Sequence, residues 1–459
     1  MREWTGSGSV CGRPWRWFSS KLRHVWRNLV YLLYDLILLL AGLFLVPYAF
    51  FKGLSYGNSF AGVRQRLGFF TSAELQPIRG ARVFWVHAVS VGEVRASQPL
   101  IKSLKERYPD CKIVLSGMTF TGNQIARTVA GVDLVIFFPF DVSFVVRRAL
   151  KAVKPELVVI IETELWPNFI RQVKQKGIPL VLANGRISRK SFPRYLGIRK
   201  IIQPLLKRFS VLAMQNSACA RRIKALGAPG RLVQVTGNMK FDLPLAPPEM
   251  AELLQNGGLE SLLRDKFVWV AGSIRSGEAE ILLKCHQQLI DRGIPSFPIL
   301  VPRHPQRCGA IAELLNKENV PFELRSELTS SAPGNRTVQL LLVDTVGELT
   351  RFYALAQAIF VGGSLVPRGG HNMLEPAQQG KPVLFGPHVF NFKEISQMLL
   401  EAGAGLKVKS GEDLVANLVL LYDDKHLCRT MGQAGQALIR ENAGATGRTL
   451  ASISKLLES

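Results

Sequence analysis

The chain lacks the usual cysteine signatures. Its six cysteines, Cys11, Cys111, Cys219, Cys285, Cys308 and Cys428, are scattered and form no CxxC pair. That spacing excludes a cysteine-based metal site and implies a reducing compartment. Phosphate-binding glycine motifs are missing as well. The segment AGSIRSGE, Ala271 to Glu278, has neither a terminal GK[ST] nor GxGxxG, which excludes a P-loop and counts against a dinucleotide-dependent dehydrogenase. No Asp/His constellation makes a metal site compelling, and no fine-scale repeat is visible. Acids are scarce: 34 Asp and Glu stand against 58 Lys and Arg, a net charge of +24. A surplus this large implies an anionic partner: nucleic acid, acidic lipid or a phosphorylated substrate.

What is present is apolar and long. The 459 residues correspond to about three domains of ~150 residues, or two large ones with an extension. Hydrophobic residues make up 47% and charged residues 20%, which excludes a chain disordered as a whole. Residues 1–27 are basic and carry Trp4, Trp15, Trp17 and Trp26. The run Leu29 to Phe51 follows, 23 residues with Asp35 as the one charge. Its length suits a membrane anchor, spanning or monotopic, and the tryptophans suit a headgroup belt. Two features oppose a simple span. Asp35 is costly near mid-membrane, and Lys52, Arg64, Arg66 and Arg79 make the second flank basic. A buried helix of the first domain is the alternative.

Beyond residue 80, apolar and β-branched runs alternate with helix-length stretches: 83–89, 112–117, 133–138, 157–161, 179–183, 209–213 and 232–236, then 267–271, 298–302, 338–343, 358–362 and 382–385. This rhythm predicts two parallel-sheet α/β units. The expected division is 1–52, basic tail and anchor; 53–241, first Rossmann-like domain; 242–250, a proline-rich linker; and 251–459, second Rossmann-like domain. Residues 323–337 read as a surface loop, and the tail after 412 as helix interrupted by glycines. Two doubly wound domains whose strands end at a common cleft would make a two-substrate site.

Most polar clusters fall just after a predicted strand. In WVHAVSVGE, Gly92 permits a tight turn before Glu93, which reads either as a catalytic carboxylate or as a helix cap. His87 shares a strand face with Trp85 and reads as packed. In IETELWPNF, continued extension would put Glu162 and Glu164 on one side; Trp166 would form an apolar wall and Pro167 a rigid turn. Close carboxylates there can raise one pKa, hold a sugar hydroxyl or bind a metal; a solvated strand exit is the bland reading. Arg186 in NGRIS and Lys240 in GNMKFD can meet anions or simply be solvated. In the second domain, AGSIRSGE offers backbone N–H groups to phosphate, and Arg303, His304 and Arg307 add neutralising charge. In VDTVGEL, Asp344 or Thr345 caps a helix, or the turn contacts a base. Glu375, after GGHN, is placed to grip ribose hydroxyls or to cap its helix.

Taken in order, WVHAVSVGE, ETELWPN, NGRIS, GNMKFD, PRHPQR, DTVGEL, GGSLV and GGHNMLEPA resemble the 3-deoxy-D-manno-octulosonic acid (Kdo) transferases of lipopolysaccharide assembly, over roughly residues 30–450. The resemblance implies a GT-B fold with a hydrophobic amino-terminal segment, working at the cytoplasmic face of the bacterial inner membrane. It implies inverting transfer of Kdo from CMP-Kdo to a phosphorylated lipid A precursor, lipid IVA, with one or more Kdo units added in succession. It implies no cofactor, no catalytic metal and no nucleic-acid partner, with anionic inner-membrane lipid as a further contact. Carried over, Glu93 is the general base, with Glu162 and Glu164 as partners. Ser90, Gly92, Arg186 and Lys240 contact acceptor or Kdo; Ser273, Arg303, His304, Gly347, Glu348, Asn372 and Glu375 bind the donor. Three departures stand out: SIRSGE replaces Ser-Thr-His-Pro-Gly-Glu, Val346 replaces methionine, and Met373 replaces proline. The last two read as packing-compatible. A nucleotide-sugar epimerase of the same fold and a nucleic-acid binder are the competing classes.

Overall fold

A computed structural model describes residues 29, 31–43, 62–242, 259–328 and 338–458. The basic tryptophan-rich tail and the linker beyond Asp242 lie outside them. The described chain forms two compact units, residues 1–239 with 444–459, and residues 240–443.

Unit 1 is built on seven strands: β1 (Arg82–His87), β2 (Cys111–Gly117), β3 (Leu134–Phe137), β4 (Leu157–Ile161), β5 (Leu180–Gly185), β6 (Val211–Met214) and β7 (Val233–Val235). All pair in parallel, in the order β3-β2-β1-β4-β5-β6-β7. Central strands such as LVVII of β4 are buried throughout because helices cover both sheet faces. One core layer holds Trp85, Phe138, Phe169 and Leu206; the other holds Phe84, Leu100, Leu115 and Ile453.

The second layer corrects the expected division. Residues 444–459, assigned by sequence to the second domain, belong to unit 1. The helix Ala445–Leu457 buries Ala445 and Ile453 there, while Arg448 Nε donates to the Thr236 carbonyl at 2.7 Å.

Unit 2 repeats the plan with β8 (Phe267–Ile274), β9 (Ser296–Pro302), β10 (Phe322–Leu324), β11 (Leu340–Leu342), β12 (Ala358–Val361), β13 (Val383–Phe385) and β14 (Gly405–Lys407). The order is β10-β11-β9-β8-β12-β13-β14, again parallel. The sequence missed β10 and β14. The expected surface loop 323–337 starts inside β10 and continues as a 3-10 turn over Arg325–Glu327; residues 329–337 lie outside the described residues. Gly432 and Gly435 do not interrupt the tail. Both lie inside the helix Lys425–Asn442, and a Cβ on Gly432 would fall 1.9 Å from the Gly380 carbonyl oxygen. Glycine there permits close backbone approach.

Of the hydrophobic run, residues 31–43 form a helix, and 44–51 lie outside the described residues. Among the described residues no helix is long and apolar enough to cross a membrane. Thirteen residues span only ~20 Å. One side of this helix docks on unit 1 through polar groups. Tyr34 donates to Asp141 at 3.1 Å, and Asp35 accepts from the Ser143 amide at 3.0 Å and Asn168 Nδ2 at 2.7 Å. Arg171 lies 4.2 Å from the Tyr31 ring centroid. Leu29, Leu32, Leu33, Leu36, Ile37, Leu39, Leu40 and Leu43 are each between 49% and 67% exposed.

Candidate functional site

In an open parallel sheet, ligands gather beyond the carboxyl ends of the strands where the connections reverse direction. Unit 1 reverses between β1 and β4. β1 leads through Ala88 and Val89 to the helix Val91–Arg107, whose N-cap is Ser90. Glu93 occupies its first turn. Its carboxylate accepts from the Val89 amide at 2.7 Å and Ser90 Oγ at 3.0 Å. The capping geometry is therefore present, and it fixes the carboxylate at the strand exit. Gly92 needs no special backbone conformation: it lies within the helix, without positive φ. The tight turn expected of it is absent.

β4 leads to Glu162 and Glu164. Extension does not continue, because Glu162 is left-handed at φ 59. The period-two argument for their common side therefore fails. The carboxylates still approach one another: burial, then repulsion from Glu93 and from Glu162, pushes Glu164 up to about 7. Thr163 ties this loop to NGRIS, donating to the Arg186 carbonyl at 2.6 Å and accepting from its amide at 3.0 Å. Arg186 thus sits beside the acidic loop and is half-buried. Asn184, also left-handed, accepts from the Met239 amide at 3.0 Å. Pro167 starts the helix Pro167–Gln175 rather than making a turn, and Trp166 is its N-cap, 5.6 Å from the Phe138 ring.

His87 is fully buried and stacks on Phe138 at 3.8 Å, while Nδ1 lies 3.0 Å from Ser116 Oγ. Burial holds it down at about 3, so it is a neutral core residue, as the sequence indicated.

Unit 2 reverses between β8 and β12. Ser273 is buried and left-handed at φ 58. The organising residue is Glu278, which the sequence did not single out. Fully buried, it accepts from the amides of Arg275 at 2.8 Å, Gly363 at 2.7 Å, and Ser364 and Leu365 at 3.1 Å each. One carboxylate thereby joins the loops after β8 and β12. Its loop partners lie 85–87 positions away, so local sequence carries no signal for the role.

Arg303 and His304 follow β9 and lie close to this junction. Arg275 Nη1 is 3.0 Å from His304 Nε2, and the Arg303 amide donates to the Ile274 carbonyl at 3.1 Å. Asn372 and Glu375 form a pair: Nδ2 donates to Oε1 at 3.0 Å, with Glu375 in the first turn of the helix Leu374–Gln378. Gly347 and Glu348 sit on a separate turn after β11. Gly347 takes φ 94, and Glu348 accepts from Arg325 at 3.0 Å and from Thr345 Oγ1. That largely buried ion pair commits one Glu348 oxygen to scaffolding. Asp344 accepts from the Ser326 amide rather than capping a helix. Val346 does not pack, being 84% exposed, whereas Met373 is fully buried in the core. Lys240 lies in the 3-10 turn Met239–Phe241 at the start of unit 2 and is half-buried.

Two parallel-sheet α/β units of this kind resemble the GT-B fold. The fold is shared with the UDP-GlcNAc 2-epimerase of Neisseria meningitidis, at 13% identity and a TM-score of 0.56 over 82% of this chain and all of that one. Residues 61–243 match the family described as 3-Deoxy-D-manno-octulosonic-acid transferase (kdotransferase). The 3-deoxy-D-manno-octulosonic acid transferase of Haemophilus influenzae is 38% identical over 398 residues, 86% of this chain and 91% of that protein. That of Bordetella pertussis is 32% identical over 375 residues, 80% and 85% of the respective chains. The chain belongs to the Kdo transferase family.

Proposed function

We propose that this enzyme transfers Kdo from CMP-Kdo to a hydroxyl of a phosphorylated lipid A precursor, with inversion and without a cofactor. The observation that carries the reading is the acidic group at the unit 1 reversal, Glu93 with Glu162 and Glu164, in a member of a Kdo-transferring family. A sugar hydroxyl is a weak nucleophile, and a carboxylate at hydrogen-bond distance activates it by taking its proton as the new bond forms. Glu93 fills that role here: two hydrogen bonds orient its carboxylate at the strand exit. Glu164 is the second candidate, because a group titrating near 7 suits neutral catalysis. Ser90, Gly92, Arg186 and Lys240 contact acceptor or Kdo. On the donor side, Ser273, Arg303, His304, Gly347, Asn372 and Glu375 hold CMP, and cationic groups stabilise charge on the departing phosphate. Glu348 supports the same turn through Arg325.

We place the reaction at the cytoplasmic face of the inner membrane. The outward leucines of helix 31–43 supply the lipid-facing side, and Asp35 is turned to unit 1 instead of the hydrocarbon. This supports an in-plane, monotopic contact with anionic lipid. Replacing Leu32, Leu36 and Leu40 by serine should abolish flotation with anionic liposomes; unchanged flotation would refute the contact. For the reaction, purified enzyme is incubated with CMP-Kdo and lipid IVA, and mass spectrometry counts the added sugars. One or more Kdo units per lipid is expected. Altered nucleotide sugar with unmodified lipid would favour an epimerase.

A further inference from the structure

Arg275 falls where SIRSGE departs from the family pattern, so no role carries over to it by resemblance. It nevertheless stands at the unit 2 reversal between β8 and β12. Its amide is fixed by Glu278 at 2.8 Å. Its side chain is fixed twice more: Nε donates to His371 Nε2 at 3.1 Å, and Nη1 lies 3.0 Å from His304 Nε2. Gly363 leaves the room, since a Cβ there would lie 3.1 Å from the His371 ring and 3.5 Å from Arg275 Cγ. A guanidinium has five N–H donors, and two imidazole acceptors use two of them. Among the described residues no carboxylate pairs with Arg275, and its other three N–H groups have no protein acceptor.

The surroundings are cationic. Burial first, then the Arg275, Arg303 and Arg307 guanidiniums, hold His304 below the ordinary histidine value. The nearest carboxylate in the loop, Glu278, is committed to four backbone amides. Arg307 donates to the neutral Ser276 hydroxyl at 2.9 Å. A recess beside these residues is lined by Arg275, Ser276, Gly277 and Arg307, with Glu280 as its one acidic side chain.

We propose that Arg275, clamped between His304 and His371 with three donors unspent, is an anion-binding residue for the donor. The inference rests on the donor reading above and adds a residue to it. Holding the guanidinium in advance removes most of the rotamer entropy that an arginine otherwise loses on binding. CMP-Kdo offers two anions, its phosphate and the carboxylate of the ulosonic acid. Both suit a planar fork.

The test measures the inhibition constant of CMP and the KM for CMP-Kdo in wild type, Arg275→Gln and Arg275→Lys, with melting temperatures alongside. Charge-assisted hydrogen bonds of this kind predict about tenfold or greater weakening in Arg275→Gln, with partial recovery in Arg275→Lys. Equal loss for CMP and CMP-Kdo identifies the phosphate as the bound anion; loss for CMP-Kdo alone identifies the carboxylate. Unchanged constants, with or without a lower melting temperature, overturn the proposal and leave Arg275 as scaffold. Wild type that binds neither nucleotide overturns the donor reading itself, and this inference with it.

Discussion

The two units reverse their strand connections in the same way and put opposite charge at the reversal. Unit 1 collects Glu93, Glu162 and Glu164 beyond β1 and β4. Unit 2 collects Arg275, Arg303 and Arg307 around His304 beyond β8 and β9. Unit 2 has a glutamate there too, but Glu278 is consumed by backbone amides. Topology thus supplies a place, and the loop side chains decide what happens there. An acidic reversal suits taking a proton from a neutral hydroxyl. A cationic one suits holding an anionic nucleotide and accepting the charge it carries away.

The sharpest way to break the contrast is to remove the buried acid from the cationic side. Glu278→Ala leaves four backbone amides without their acceptor, at about 1–3 kcal/mol each in a buried setting. Thermal unfolding should show unit 2 melting lower by about 10 °C or more. A shift of only a degree or two would mean that the loops hold themselves.

Glu375 tests the nucleotide end. Glu375→Gln should weaken CMP binding by roughly 1–3 kcal/mol and erase the preference for CMP over 2′,3′-dideoxy-CMP. Arg303→Ala should weaken both nucleotides and keep the preference. If Glu375 serves only Asn372 and its own helix turn, ribose discrimination will survive the change.

A smaller effect sharpens the acidic side. Glu164 titrates near 7 when folded and near 4.5 when unfolded, so between those values the folded state holds the extra proton. Its contribution to stability is complete below about 4.5 and is lost as pH rises through 7. Glu164→Gln should therefore melt several degrees higher than wild type at pH 8, and the gap should close by pH 4. A gap independent of pH would show that burial and the acidic neighbours do not raise the Glu164 carboxyl.

Much of this was legible in the sequence. Buried parallel strands such as LVVII and FVWVA announce themselves by unbroken apolar runs. The post-strand clusters then follow from strand ends alone. What stayed hidden is mostly non-local. β10 and β14 are three-residue edge strands, too short for a pattern. The helix Ala445–Leu457 is amphipathic in either unit, and only packing reveals that its apolar face belongs to unit 1. The left-handed Glu162 is invisible because glutamate carries no propensity for that conformation. Asp35 looked like a flaw in an anchor; its partners Ser143 and Asn168 lie more than a hundred residues away.

The division of labour between the two reversals is tested most directly by one variant measured in two ways. Glu93→Ala removes the unit 1 carboxylate that the Val89 amide and Ser90 Oγ hold at the strand exit. Calorimetric titration with CMP and the transfer assay with lipid IVA are run on the same folded preparation. The expected result is wild-type CMP affinity with Kdo transfer abolished. Near-normal turnover would contradict the assignment of the acceptor's base to Glu93. Loss of CMP binding together with turnover would contradict the separation of acidic and cationic tasks.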